Sequence, residues 1–467
     1  MEINPQIFRG YDIRGIAEKD MDADTMELIG RAHGTYLKSI NVNKCVVGSD
    51  NRLTSEEYRK AVIDGLMKTG LDVVDLGLTL TSITYWAQYH FQAKGCVMVT
   101  ASHNPAEYNG VKLGRNYSDT STPISEIKRI VLQKNFAEGK GKLTKAPARY
   151  IQIYNQDLLK RIGKLKKFKI VIDASNGAAG KFMPEIFRQA GSEVIEQNCE
   201  LDGNFPNGTP DPTENYVAKR LAERVIKEGA DIGFSFDADG DRIGLVDEKG
   251  NIFWNDVLLA ILADAVLTKK PGAKIVYNAY CSKVVDDVVR RGKGEPIMWL
   301  TGDVYIKEKA RKEKAPFAGE FSGHFFFLDD FYGHDDGAFC GLKVLEYLTE
   351  KNQPLSKIIA SYPKYVSSPE IKIGCPDEKK ADVINRMVTI LKKDFAGNWF
   401  NEADGIRVDF PDGMLMMRMS QNGPYLTPRF EAKTQKIYDE RRKYMKDLLE
   451  SFSELDWSKG SNLEEFE

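Results

Sequence analysis

A serine and a histidine lie in a polar loop that directly follows an apolar segment of the chain. Residues 95–100 (GCVMVT) have the composition of a buried strand, and Ser102 and His103 follow in the sequence SHNP. Open α/β sheets place their chemistry in loops at the carboxyl ends of strands. Ser102 is therefore a candidate nucleophile, with His103 and Lys112 as candidate proton-transfer groups. The alternative is a polar turn that does no more than end a strand.

Three aspartates, Asp237, Asp239 and Asp241, alternate along a second loop, which ends at Arg242. Alternating carboxylates in an extended loop can converge on one hard cation, and they repel one another unless a metal or basic groups compensate. The spacing nearly fits an EF-hand calcium loop, but Arg242 stands at the sixth position, where that loop needs glycine. A solvated acidic turn is the alternative. The apolar flanks FSF and IGLV favour a metal site, and Arg242 suggests that metal and arginine together hold a phosphate.

Three further loops carry side chains that suit a sugar phosphate. The sequence GEFSGH offers a carboxylate, a hydroxyl and an imidazole for vicinal sugar hydroxyls, and RMSQNGP offers an arginine, a hydroxyl and two amides for a phosphate dianion. FRGYDIRG, near the N-terminus, adds two arginines in a loop flanked by glycines. Each of the three could also be an ordinary turn. The candidate residues in these loops are Tyr11, Arg14, Glu320, Ser322, His324, Arg418, Ser420, Gln421 and Asn422.

Short apolar segments alternate with helical patterns along most of the chain, and this alternation predicts the elements that position the loops. One such group contains residues 44–47, 56–68 and 73–76, and the order restarts at 169–173 and again at 274–278. Alternation of this kind is typical of α/β domains with parallel or mixed sheets. The C-terminal part instead shows short strands, turns and a long charged helix. The sequence therefore predicts three similar α/β domains with mixed sheets and a C-terminal α+β domain.

The expected domain boundaries follow from the points at which this order restarts. The Gly- and Lys-rich residues 137–146 are interpreted as the first linker. The predicted domains are 1–147 with the serine loop, 148–250 with the aspartate loop, 251–366 with the GEFSGH loop and 367–467 with the RMSQNGP loop.

The composition argues against several classes of partner. The 467 residues carry 66 Lys and Arg against 68 Asp and Glu, and this balance disfavours nucleic acid or a membrane held by bulk charge. No apolar run suits a membrane helix, and no secretory signal is visible. The six scattered cysteines form no C-x-x-C pair and are interpreted as mostly buried thiols, which favours a cytoplasmic location. The glycine patterns of nucleotide-binding loops and of the α/β-hydrolase serine are absent.

Taken together, the five loops resemble the α-D-phosphohexomutase family and, within it, the phosphomannomutase/phosphoglucomutase group. FRGYDIRG, TASHNP with YNGVK, DADGDR, GEFSGH and RMSQNGP occur in the family's order and span nearly the whole chain. The resemblance implies four domains around a central cleft. It also implies reversible conversion of hexose 1-phosphate and hexose 6-phosphate, with mannose, glucose or both as the sugar. Ser102 would carry a phosphoryl group, give it to the sugar and recover another from a hexose 1,6-bisphosphate.

The resemblance further implies roles for individual residues. Mg²⁺ would be held by a phosphate oxygen on Ser102 and by Asp237, Asp239 and Asp241, and it would polarise the transferring group. The implied catalytic residues are Ser102, Lys112, His103, Arg242 and Arg14, and Lys112 is favoured for moving the hydroxyl proton. The implied sugar-binding residues are Glu320, Ser322 and His324, and the implied phosphate-binding residues are Arg418, Ser420, Gln421 and Asn422. Glucose or mannose 1,6-bisphosphate would act as activator, and the enzyme would be a monomer or a dimer.

Two positions depart from the family pattern. Relatives usually carry threonine, often followed by glutamate, where this chain has Asn422 and Gly423. Several relatives read TGH where this chain has a TGD sequence ending at Asp303.

The third residue of GEFSGH bears on the choice of substrate. It is Phe321, and in this the loop resembles that of the group that accepts mannose and glucose phosphates. The alternatives are a phosphoglucosamine mutase, a metal-dependent sugar-phosphate phosphohydrolase that uses Ser102, and a catalytically silent sugar-phosphate binding protein.

Overall fold

The computed structural model describes residues 3–117, 122–421 and 423–467. The strands are β1 Ile13–Ile16, β2 Lys44–Ser49, β3 Asp72–Leu78, β4 Gly95–Val99, β5 Tyr108–Gly114, β6 Leu143–Lys145, β7 Lys169–Asp173, β8 Glu193–Gln197, β9 Ile232–Phe236, β10 Ile243–Asp247, β11 Ile252–Phe253, β12 Lys274–Asn278, β13 Glu295–Trp299, β14 Phe317–Gly319, β15 Phe325–Phe327, β16 Val366–Ser367, β17 Lys372–Gly374, β18 Trp399–Asn401, β19 Ile406–Phe410, β20 Gly413–Met419, β21 Tyr425–Ala432 and β22 Asp456–Ser461. The helices are α1 Ala23–Ser39, α2 Ser55–Lys68, α3 Thr81–His90, α4 Ile124–Gln133, α5 Tyr150–Lys160, α6 Ala179–Gln189, α7 Asn215–Glu228, α8 Asn255–Lys269, α9 Lys283–Arg291, α10 Asp303–Glu313, α11 Gly337–Lys351, α12 Leu355–Ile359, α13 Asp377–Asp394 and α14 Gln435–Glu450.

These elements fall into two compact units. The first unit comprises Met1–Pro212, Lys227–Ile243 and Asp330–Thr349, and the second comprises Thr213–Ile226, Gly244–Asp329 and Glu350–Glu467. Strands and helices alternate along most of the chain, and several of the sheets are of mixed type. The α/β fold class predicted from the sequence is confirmed.

A six-stranded mixed sheet organises the first unit. Its order is β1-β5-β4-β2-β3-β6, in which β4, β2, β3 and β6 are parallel and β5 is antiparallel to β1 and β4. Helices α1, α2 and α4 share an apolar core with its strands. Because β2 and β4 are parallel neighbours, the loops after Ser49 and after Val99 begin at the same edge of the sheet. The register of β5 places Lys112 opposite Met98, near that edge.

The first unit also contains β7 between β8 and β9, with both neighbours parallel to it. All five residues of β9 are buried. The aspartate loop therefore starts at the carboxyl end of a fully buried parallel strand, where α/β proteins place ligand-binding groups.

The second unit contains two sheets that carry the remaining loops. In one, β12 is parallel to β13 and β14, and β15 returns antiparallel to β14. In the other, the antiparallel order is β18-β19-β20-β21-β17-β22, with β16 also paired to β21. Helices α13 and α14 pack on this sheet around one apolar core. The short strands and long charged helix expected near the C-terminus are present.

The structure corrects the interpretation of the Gly- and Lys-rich residues 137–146 as a linker. Their last part forms β6, which pairs in parallel with β3. The N–H groups of Gly139 and Gly141 donate to carbonyl oxygens of α2. A Cβ on Gly141 would lie 1.7 Å from the carbonyl oxygen of Leu71. The glycines therefore allow close backbone approach at a sheet edge.

All six cysteines are buried thiols outside any disulfide bond, in agreement with the prediction of mostly buried thiols. Burial raises the pKa of the Cys45 thiol well above its usual range, so the inert thiol form is favoured. In the described part of the chain, each helix is too short or too polar to cross a membrane.

Candidate active site

The serine loop begins where β4 ends, and it holds Ser102 in a strained backbone conformation. Ser102 has a φ angle of 51°, in the left-handed region. That region costs a residue other than glycine on the order of 1–3 kcal/mol. The side chain is buried, and the backbone N–H donates to Thr100 Oγ1 over 2.8 Å. The surroundings must hold this conformation in place, as they do for many residues at functional sites.

The Ser102 hydroxyl lies against a carboxylate from the aspartate loop. Ser102 Oγ donates a hydrogen bond to Asp237 Oδ2 over 2.8 Å and lies 3.3 Å from His103 Nδ1. The backbone N–H of Arg242 donates to Asp237 Oδ1 over 3.1 Å, and its Nε lies 3.8 Å from Asp237 Oδ2. The structure therefore brings together the predicted nucleophile, a predicted proton carrier, a predicted metal ligand and a predicted phosphate-binding arginine.

The aspartate loop turns its three carboxylates toward one point. Asp237, Asp239 and Asp241 each offer an oxygen, and these oxygens lie within 4.8 Å of one another. All three residues are buried. Gly240 has a φ angle of 70°, and a Cβ there would lie 2.9 Å from the Met183 side chain. Glycine is therefore required for both the turn and the close packing behind it.

The charges of this cluster call for a cation. Burial, together with the neighbouring carboxylates, raises the pKa of Asp237 well above its usual range. Burial also acts to raise the pKa of Asp239, but the Lys112 ammonium and the hydrogen bonds with Lys112, Thr81 and Asp237 together outweigh it, and the pKa is lowered. Asp239 Oδ1 is buried and accepts no hydrogen bond from the described residues. Buried carboxylate oxygens, among them Asp239 Oδ1 with no hydrogen-bond donor among the described residues, suit a hard divalent cation such as Mg²⁺.

Lys112 lies between two of these aspartates. Its Nζ is 2.8 Å from Asp239 Oδ2 and also contacts Asp241 Oδ2. Burial alone would lower the pKa of Lys112, but the two carboxylates outweigh it and raise the pKa. Lys112 is thus held as a cation, which suits charge neutralisation better than the neutral amine of a general base. His103, at 3.3 Å from the serine oxygen, is the better placed proton carrier.

Arg14 joins the N-terminal loop to the serine loop. Its Nη1 donates to the Ala101 carbonyl oxygen over 3.1 Å and to Asn104 Oδ1 over 2.8 Å. Its Nε forms an ion pair with Asp12 over 2.6 Å. Arg14 therefore both adds positive charge and supports the serine loop. Tyr11, three residues before Arg14, is half-buried.

In the second unit, the GEFSGH loop joins β14 to β15 and folds back on itself. The N–H of Glu320 donates to the His324 carbonyl oxygen over 2.9 Å, and the N–H of Gly323 donates to the Glu320 carbonyl oxygen over 3.1 Å. The buried Glu320 carboxylate accepts from the Gly302 N–H over 2.6 Å. Ser322 Oγ is buried and makes no hydrogen bond to a described residue. This loop therefore presents a hydroxyl that a polar ligand can satisfy.

The TGD and RMSQNGP sequences share one carboxylate partner. Asp404 Oδ2 accepts from the Thr301 N–H over 3.1 Å and from Arg418 Nε over 2.9 Å. Asp303, at the first turn of α10, forms an ion pair with Lys307 over 2.8 Å. The negative charge of Asp303 is therefore balanced within the same helix.

A lysine that the sequence analysis did not single out supports the RMSQNGP loop. Lys380 Nζ donates to the carbonyl oxygens of Ser420 and Gly423 over 2.6 and 3.0 Å. Gln421 is half-buried in this loop, and Asn422 lies outside the described residues. Lys380 lies in the first turn of α13 and belongs to no recognisable motif. The sequence alone therefore does not indicate its role.

Asp50 and Arg52 also contact the serine loop and were not singled out. They follow β2 in the sequence SDNR. Since β2 pairs in parallel with β4, they lie at the edge of the sheet where the serine loop starts. The reasoning that identified Ser102, a polar loop after an apolar strand, would have identified them too.

The first-unit cluster is suited to phosphoryl transfer. This reaction needs a positioned acceptor oxygen and the neutralisation of phosphate charge more than elaborate covalent chemistry. Ser102 supplies the oxygen, the aspartates can hold a cation, and Lys112 and two arginines supply positive charge.

Comparison with known proteins shows one consistent relationship. Family profiles described as phosphoglucomutase/phosphomannomutase alpha/beta/alpha domains I, II and III match residues 5–138, 148–250 and 254–365. A phosphomannomutase/phosphoglucomutase of Pseudomonas syringae pv. tomato is 37% identical over 438 residues, which is 92% of each chain. A phosphoglucomutase of Neisseria gonorrhoeae is 34% identical over 461 residues, covering 97% of this chain and 99% of its own. A crystal structure of a phosphoglucomutase/phosphomannomutase family protein from Burkholderia thailandensis matches with a TM-score of 0.88 and 34% identity, covering 96% of this chain and 98% of its own.

Proposed function

The chain belongs to the phosphoglucomutase/phosphomannomutase family and is an isomerase of hexose phosphates, and on this basis we propose that Ser102 carries the phosphoryl group in its reaction. The observation that carries the proposal is the hydrogen bond of 2.8 Å from the buried Ser102 hydroxyl to Asp237, within a cluster of three aspartates. The reaction is the interconversion of hexose 1-phosphates and hexose 6-phosphates.

The proposed reaction has two balanced steps. The phosphoserine at position 102 gives its phosphoryl group to the free hydroxyl of a bound hexose monophosphate. The P–O bond to Ser102 breaks, a P–O bond to the sugar forms, and the proton of the sugar hydroxyl ends on the serine oxygen. His103, whose ring nitrogen lies 3.3 Å from the serine oxygen, would deliver that proton. The hexose 1,6-bisphosphate then returns its other phosphoryl group to Ser102, and the serine proton moves through His103 to the sugar oxygen that is released.

The remaining first-unit residues would manage charge. Asp237, Asp239 and Asp241 would hold Mg²⁺ together with an oxygen of the phosphoserine, and the bound ion would polarise the transferring group. Lys112 would spread the charge of that group, as would the two arginines already described. Glucose or mannose 1,6-bisphosphate would act as activator because it can restore a phosphoryl group that the serine has lost to water.

The second-unit loops would bind the rest of the substrate. Glu320, Ser322 and His324 would bind sugar hydroxyls, and the buried position of Ser322 Oγ without a protein partner among the described residues supports this role. The non-reacting phosphate would be held by Arg418, Ser420, Gln421 and Asn422. Four domains bounded at residues 147, 250 and 366, a monomeric or dimeric enzyme and a cytoplasmic location belong to the same proposal.

A phosphorus NMR time course tests the substrate class. The enzyme is mixed with Mg²⁺, a trace of glucose 1,6-bisphosphate and either mannose 1-phosphate or glucose 1-phosphate. We expect 6-phosphate signals to grow in both samples, and their relative rates rank the two sugars. Release of inorganic phosphate instead would support a phosphohydrolase. Turnover of glucosamine 1-phosphate alone would support a phosphoglucosamine mutase.

Replacement of Lys380 by methionine is expected to raise KM for hexose monophosphates about 10-fold, which corresponds to roughly 1.4 kcal/mol. Lys380 Nζ fixes two carbonyl oxygens of the proposed phosphate-binding loop, and its charge lies beside that loop. The value of kcat should change less than about threefold, because interactions shared by substrate and transition state affect KM. The matched control is Lys379→Met, since Lys379 is exposed next to it in α13. An unchanged KM in folded Lys380→Met would contradict the proposed role of this loop.

A further inference from the structure

Arg52 has all of its side-chain donors engaged at the base of the serine loop. A guanidinium has five N–H donors in a planar fork. Nε donates to Asp50 Oδ2 over 3.2 Å, and the two terminal nitrogens donate to four backbone carbonyl oxygens of the serine loop. These acceptors are Ser102 and Asn104, each at 2.7 Å from Nη2, and Pro105 and Tyr108, at 2.6 and 3.0 Å from Nη1. One buried side chain therefore fixes four carbonyl groups within seven residues.

Asp50 connects the same arginine to the backbone amide of the serine. Asp50 Oδ2 accepts from Thr100 Oγ1 over 2.8 Å, and Thr100 Oγ1 in turn accepts from the Ser102 N–H over 2.8 Å. Asp50 Oδ1 accepts from the Arg52 N–H over 3.0 Å and from Ser55 Oγ at the start of α2. Both backbone groups of Ser102 are therefore hydrogen-bonded. Its N–H donates to Thr100, and its carbonyl oxygen accepts from Arg52.

This network explains how the strained conformation persists. Ser102 has a φ angle of 51°, and residues other than glycine keep such angles only where the surroundings over-determine them. Arg52 is 3% exposed and Asp50 is 3% exposed, so water does not compete for these hydrogen bonds. The guanidinium also lies 4.9 Å from the centre of the Phe205 ring, which fixes its plane.

We propose that Arg52, oriented by Asp50, is a positioning residue that holds the serine loop in the conformation in which Ser102 presents its hydroxyl to Asp237. This inference rests on the proposed role of Ser102 as phosphoryl carrier. Neither Arg52 nor Asp50 touches the reacting atoms. Their contribution is geometric, because misplacement of a reacting group by about 1 Å can cost on the order of 100-fold in rate.

The test compares two conservative arginine substitutions. Arg52→Lys keeps the positive charge but has at most three donors and no planar fork, so it cannot hold four carbonyl groups and Asp50 together. We expect kcat to fall about 100-fold while KM stays within about threefold of the wild-type value. The matched control is Arg59→Lys in the same unit, because the Arg59 side chain contacts Ser49 Oγ over 2.9 Å and Asp75 over 3.0 Å, and neither partner belongs to the serine loop. This control should keep kcat within about twofold.

A second variant keeps the test decisive if Arg52→Lys does not fold. Thr100→Val has nearly the same shape but removes the oxygen that accepts the Ser102 N–H and donates to Asp50. We expect this variant to lower kcat about 10-fold and to leave KM unchanged, because Ser102 loses the hydrogen bond of its backbone N–H but keeps that of its carbonyl oxygen. Folded variants at both positions with kcat within twofold of wild type would overturn the inference. Equal losses of kcat in Arg52→Lys and Arg59→Lys would also overturn it, because they would reflect general destabilisation.

Intact-protein and peptide mass spectrometry separates this inference from the one on which it rests. Wild-type enzyme is incubated with glucose 1,6-bisphosphate, and the phosphorylated residue is located. A wild-type enzyme with its phosphoryl group elsewhere than Ser102 would overturn the proposed mechanism itself. Phosphorylation of Ser102 in the wild type and in Arg52→Lys, with unchanged kcat in the variant, would overturn only the positioning role.

Discussion

Replacement of Ser102 by alanine is expected to lower kcat by at least about 10⁴-fold and to leave the fold intact. The phosphoryl group would lose its carrier oxygen beside Asp237, and the sugar cannot exchange phosphoryl groups with the enzyme without it. The fold should persist because the Asp237 carboxylate still accepts the Arg242 N–H. Phosphorus NMR measures the turnover, and thermal unfolding and circular dichroism measure the fold.

Two further variants define the cause of this loss. Ser102→Gly also lacks the hydroxyl, but glycine adopts a φ angle of 51° without strain, so its inactivity cannot be ascribed to the backbone. Ser192→Ala removes the hydroxyl of a buried serine outside the site and should keep the wild-type rate. Turnover above about one hundredth of wild type in Ser102→Ala would contradict the phosphoserine mechanism.

The parts of the site that the sequence predicted are those set by local geometry. Ser102 follows a buried strand, and side chains after buried parallel strands meet at one edge of a sheet. The aspartates of DADGDR alternate over five residues, so their convergence needs only one loop. In both cases the sequence pattern and the geometry that it predicts involve only a few neighbouring residues.

Other features depend on contacts between distant segments, and no local pattern reports them. Lys380 reaches a loop forty residues along the chain through its position in the first turn of α13. Lys112 was expected to move a proton, but its pKa is raised by carboxylates more than a hundred residues away in sequence. Residues 137–146 have the composition of a linker, yet position 141 requires glycine because the backbone of Leu71 leaves no room for a Cβ. The composition of the segment does not reveal this contact, because Leu71 lies in another part of the chain.

Removal of divalent cations is expected to abolish turnover, and addition of Mg²⁺ should restore it. The three aspartates are buried and close together, and phosphoryl transfer adds further negative charge at the same place. Binding should also stabilise the fold, by about 2.7 kcal/mol at a free Mg²⁺ concentration a hundred times its Kd. The measurements are activity after chelation and thermal unfolding across a Mg²⁺ titration of the unphosphorylated enzyme. Full activity after exhaustive chelation would contradict the proposed metal site.

Two variants with opposite expected effects on Mg²⁺ affinity make this test specific to the aspartate loop. Asp239→Asn removes one ligand charge and should weaken Mg²⁺ binding at least about 10-fold, with no stabilisation by Mg²⁺ in the concentration range that stabilises the wild type. Lys112→Gln should bind Mg²⁺ more tightly than the wild type, because the Lys112 ammonium lies 2.8 Å from Asp239 Oδ2 and competes with the ion for that carboxylate. Its turnover should nevertheless fall, since Lys112 would no longer neutralise the transferring phosphate. Tighter binding with slower turnover in one variant cannot arise from general unfolding, and unchanged Mg²⁺ affinity in Lys112→Gln would show that the ion binds away from these carboxylates.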